Sequence, residues 1–193
     1  MLDKDEFFDM QKDVLDMLND NIRDDPKLAK AFAKKLAGIY DLEIGKEIFG
    51  DLRIVRELLD KDYYDVLINL FIERQGIIDL KDENNKTLFL LAATYDKSSS
   101  FVKTVLMHRP KAVGQYDNYG NTAIILAAMH GKTNTVKAIL EVCPDAAGQQ
   151  DNNGVSAKTY AVNQKNKDML EAIKAATNDF SPERQAVRNI LHQ

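Results

Sequence analysis

Three histidines, one cysteine and a few clustered acids are the side chains of this 193-residue sequence whose types could do chemistry. His108, His130 and His192 are far apart in sequence, and no His or Cys pair has metal-ligand spacing, so no metal is expected. Cys143 is followed by Pro144 with no base beside it. A nucleophilic thiol needs such a base, so the expectation is a structural or exposed thiol. Asp24-Asp25 could be an acid and a base, but neighbours at a helix boundary point in different directions and suit capping better. No glycine-rich loop precedes a helix as a phosphate cradle requires. Asp151-Asn152-Asn153-Gly154 begins like a calcium loop, yet its glycine stands fourth instead of sixth and Val162 takes the glutamate's place. Asn85-Lys86-Thr87 is a formal glycosylation triplet that reads as a turn. The expectation is a chain with no catalytic residue, no cofactor and no enzymatic activity.

Composition agrees with a soluble protein, at 45% hydrophobic and 29% charged residues. A net charge of −4 argues against nucleic acid, which calls for a basic face. Residues 1–50 hold 12 acids and 8 bases, so the other 143 residues are neutral as a group. A single cysteine forbids an internal disulfide and suits a reducing compartment. The acidic start Met1-Leu2-Asp3-Lys4-Asp5-Glu6 lacks a secretory core, and the longest apolar runs are a few residues, so a cytoplasmic chain with no membrane contact is expected.

What must position any site is a repeat. Asp117-Asn118-Tyr119-Gly120-Asn121-Thr122-Ala123 recurs as Asp151-Asn152-Asn153-Gly154-Val155-Ser156-Ala157, 34 residues on, and as Asp82-Glu83-Asn84-Asn85-Lys86-Thr87-Leu88, 35 residues back. An Asp or Asn cluster followed by Gly supplies a tight turn with positive φ, and Thr or Ser two residues later can cap a starting helix. Paired alanines, as at Ala127-Ala128, let helices approach closely, and Val136, Ile139 and Leu140 form an apolar stripe for the neighbouring unit. One such unit cannot bury its own apolar face, so the stack folds together.

In spacing and grammar the sequence resembles the ankyrin repeat, a unit of roughly 33 residues with a turn and two antiparallel helices. Asp117, Gly120 and Thr122 match that family's turn aspartate, turn glycine and capping threonine, and Gly131 matches the glycine closing the first helix. The family's Thr-Pro-Leu-His reads Thr122-Ala123-Ile124-Ile125, so its proline and histidine are absent. The resemblance implies non-catalytic protein binding through a concave surface of turn tips and first helices. It implies contact positions at Tyr95, Asn118, Tyr119, Asn121, Met129, His130, Asn152 and Asn153, with Thr94, Asn163 and Gln164 at matching places. Short arrays of this kind occur in adaptors and in effectors that bacteria deliver into host cells.

The expected fold is all-α: a helical solenoid with an N-terminal helical hairpin cap over 1–50 and a repeat array over 51–177. Within the array, 51–81 is degenerate, 82–116 and 117–150 are inner units, and 151–177 is a polar cap; a short C-terminal helix spans 178–193. The hairpin is read as one helix over 3–22, carrying Met17 and Leu18 inward, and a second after Asp25 and Pro26 with Leu28, Phe32, Leu36 and Ile39 as its stripe. The partner expected is another protein, and a monomer is favoured. Two other classes stay open: an activity housed in residues 1–50, and self-association through the last helix or the acidic hairpin.

Overall fold

The computed structural model describes residues 16–18, 20–40, 53–95, 97 and 99–178. Among these residues lie ten α-helices, three 3₁₀ links and no strand. The chain divides into two compact units, Met1–Leu91 and Ala92–Gln193.

In the first unit, α1 (Asp20–Asp24) and α2 (Pro26–Tyr40) are followed by α3 (Arg53–Asp60), α4 (Tyr64–Glu73) and a 3₁₀ link, Gln75–Asp79. Asp25 starts α2 as the sequence predicts, its Oδ1 accepting the N–H groups of Lys27 at 2.8 Å and Leu28 at 3.3 Å. The long helix expected over 3–22 is not continuous. Its described end turns at Met17 and restarts at Asp20, because Asn19-Asp20 favours leaving a helix over extending it. Met17 is 46% exposed instead of inward-facing. The stripe of α2 is also rotated from the expected one: Ala29, Phe32, Ala33, Leu36 and Ala37 are buried, while Leu28 is 46% exposed. Alanines four apart leave a shallow groove, and α2 packs most extensively on α4, whose Val66, Leu67, Leu70 and Phe71 are fully buried. Helix α3 packs on α4 from its other contacts, with Ile54, Val55, Leu58 and Leu59 buried. Residues 3–15 of the first expected helix, and all but Asn178 of the C-terminal helix expected over 178–193, lie outside the described residues.

In the second unit, α6 (Ser100–His108), α8 (Thr133–Val142) and α10 (Lys167–Asn178) form one layer, α8 packing on both neighbours. First helices α7 (Ala123–Met129) and α9 (Ala157–Asn163) pack on each other, and α7 packs on α8 and α9 on α10. Helix α5 (Leu88–Tyr95) precedes them. The 3₁₀ links Pro110–Gly114 and Pro144–Gly148 follow α6 and α8, with proline at the first position where its missing N–H is harmless. The residues leaving the second helices, Arg74, Arg109 and Cys143, share one backbone conformation, φ −140, −137 and −132 with ψ 79, 70 and 74. This is a helical solenoid built from one local grammar.

Candidate functional site

The turn tips are built the same way three times. Asp117 Oδ1 accepts the N–H groups of Tyr119 and Asn121, both at 2.9 Å, as Asp82 Oδ1 does for Asn84 and Lys86 and Asp151 Oδ1 for Asn153 and Val155. Single antiparallel bridges close each turn, Lys81 to Thr87, Tyr116 to Thr122 and Gln150 to Ser156. The fourth turn residue has positive φ each time: Asn85 at 61°, Gly120 at 79° and Gly154 at 77°. Glycine at 120 answers a second need, since a Cβ there would stand 2.8 Å from the backbone nitrogen of Asn152.

That close approach locks adjacent tips together. Asn152 N–H donates to the Tyr119 carbonyl at 3.1 Å, and its carboxamide donates to the Asn118 carbonyl at 3.3 Å. Asn118, Tyr119, Asn152 and Asn153 are all exposed on this joined surface, Tyr119 by 62%. Tyr116, which the sequence reading missed, is 61% exposed just before the same turn. Its signal was its place ahead of Asp117, in extended backbone with one face open.

Asn121 does not belong to this surface. It is only 6% exposed, its Nδ2 donating to Asp117 Oδ2 at 3.1 Å, so it braces the turn from inside. Thr94, also expected as a contact, is buried. Thr122 enters α7 with extended backbone, φ −89 and ψ 171, but makes no side-chain cap, and its Oγ1 is buried without a partner. The Ile125 side chain, fully buried three residues on, offers it neither donor nor acceptor.

Met129 and His130 lie at the far end of α7, one seven-residue helix away from the tips. Met129 is half-buried and His130 exposed; Tyr95 holds the corresponding place at the end of α5 and is 40% exposed. Here the strap is Gln164. Its Nε2 donates to the carbonyls of Ala128 at 3.0 Å and Met129 at 2.9 Å, so a residue expected to meet a partner ties two repeats instead. Asn166 adds a bond to Thr133 Oγ1 at 2.8 Å. Farther out on the second-helix layer, Lys103 Nζ meets the Glu141 carboxylate at 2.8 Å.

Arg56 on α3 pairs with Asp82 Oδ2, anchoring the first turn within its own unit. Cys143 is buried, and desolvation, with the Asp145 carboxylate adding to it, pushes its thiol up to about 11, so it is a protonated packing group. Among the described residues no His, Cys, Asp and Glu cluster could hold a metal, and no helix is long and apolar enough to cross a membrane. A family model described as ankyrin repeats, three copies, matches residues 89–184. No curated protein matches the chain.

Proposed function

Since the chain belongs to the ankyrin-repeat family through residues 89–184, we propose that it is a non-catalytic scaffold that binds a partner protein with its turn tips. Such repeats are generally protein–protein interaction modules. The observation that carries the reading is Tyr119, an aromatic ring 62% exposed on a turn whose backbone is fixed by Asp117 and by Asn152 of the next repeat. A large amphipathic ring on rigid backbone gives contact area and a hydroxyl while losing little entropy on binding. Asn118, Asn152 and Asn153 surround it with uncharged polar groups, and Tyr95, Met129 and His130 extend the surface to the other end of the first helices. A standard interface takes about 800 Å² per partner, which a few adjacent tips and helix faces supply. We place the chain in the cytoplasm as a monomer, with its lone thiol buried and unpaired.

Capture from lysate by the immobilised full chain, compared with Tyr119→Ala and Met129→Ala combined, tests this reading. The double variant is expected to lose the wild-type partner by at least about tenfold in affinity while its thermal midpoint is unchanged. Equal affinity in a folded double variant would remove the turn-tip face from consideration.

A further inference from the structure

Opposite the turn tips, the chain reverses between the first and second helix of each repeat, and these corners carry lysines. In the second unit they are Lys97, Lys132, Lys165 and Lys167. Polar straps show that consecutive corners touch. Gln164 and Asn166 bond to Met129 and Thr133, and a groove of about 240 Å³ is walled by Lys97 from one corner and by residues 131–135 from the next. The four lysines therefore stand on adjoining corners of one edge. Asp168 and Glu171, the latter four residues after Lys167, are acids on α10 that oppose this charge; Asp96 lies outside the described residues.

The groove itself is lined with donors. Besides the two lysines it presents Thr133 and Asn134 at the start of α8, with Thr135 buried behind them; the helix has no acid in its first turn and no side-chain cap. Thr133 Oγ1 already accepts the Asn166 Nδ2–H, so its own hydrogen is left to donate. The Asn134 carbonyl apart, the side chains of this wall offer positive charge and hydroxyl hydrogen. The wider charge pattern points the same way: residues 97–178 hold ten bases against six acids, although the whole chain carries −4.

We propose that this lysine edge binds an acidic segment of a partner protein, with one carboxylate seated in the groove between Lys97 and Lys132 and further acids reaching Lys165 and Lys167. A short acidic peptide fits better than nucleic acid. The four corners carry no arginine, and the chain's negative total repels a polyanion that extends past them. The site lies at the other end of the first helices from Tyr119, next to Tyr95 and His130.

Fluorescence anisotropy with the full chain tests it at roughly 30 mM salt, where exposed charges are little screened. The probes are a labelled octapeptide alternating glutamate and serine, the same peptide with glutamine for glutamate, and oligouridine of equal charge. The glutamate peptide is expected to bind most tightly, and Lys97→Gln with Lys132→Gln to weaken it roughly tenfold. Lys103→Gln with Lys111→Gln, away from the corners, is expected to leave affinity unchanged. If the first pair lowers the melting midpoint, Lys165→Gln with Lys167→Gln carries the same expectation. Equal loss from the control pair, no loss from the corner pairs, or tighter binding of the glutamine peptide or oligouridine would overturn the proposal.

Discussion

Single residues in this fold do two kinds of work that look alike in sequence. Asn118 and Asn121 are both polar turn residues, yet the first stands in solvent and the second is drawn inside to brace Asp117. Only the accounting of buried polar groups separates them, since a buried carboxamide needs a partner and an exposed one has water. Cys143 gives a test at this scale. Its thiol ionises near 9.0 in an unfolded chain and near 11 in the folded one, so the folded chain holds an extra proton between those values. The stability linked to this group is whole below pH 9.0 and is lost as pH climbs through about 11. Urea midpoints at pH values below 9.0 and near 11 should therefore fall more for the wild type than for Cys143→Ala, and equal falls would contradict the assignment.

At the scale of elements, first helices end in a shared device. Gly131 N–H bonds to Ala128 O and Lys132 N–H to Ala127 O, and the same pair of bonds forms at Asp62 and Tyr63 and at Lys165 and Asn166. The closing residue has positive φ in all three, 63° at Asp62, 68° at Gly131 and 54° at Lys165. Two side chains thus occupy a conformation that suits glycine. Lys165→Gly relieves that strain against a larger entropy loss on folding, and a net gain of about 0.5–1 kcal/mol is expected in chemical denaturation. A loss of stability would mean that the lysine stem packs at this corner. The turn and corner grammar was legible in sequence because it is set by local backbone, where Asp, Gly and Thr have fixed offsets. The exact stripe of α2 was not, because Leu28 and Ala29 are one residue apart on the helix and their fate depends on what α4 presents. Nor were the straps from Gln164 and Asn166, whose partners lie 33 to 36 residues away in sequence.

For the molecule as a whole, the repeat grammar made the all-α architecture and the ankyrin-repeat likeness readable before any coordinates. Six of the eight expected contact residues, Tyr95, Asn118, Tyr119, His130, Asn152 and Asn153, are exposed and Met129 is half-covered; Asn121 is the correction. A sequence gives the positions at which a repeat faces outward, whereas the choice between contact and brace follows from neighbours in the next repeat. The most direct measurement is hydrogen exchange of the full chain with and without its captured partner. The account predicts added protection in peptides spanning 116–121 and 150–155, with the second-helix peptides 100–108 and 133–142 unchanged. Protection confined to those second helices, with the turn tips exchanging as in the free chain, would contradict it.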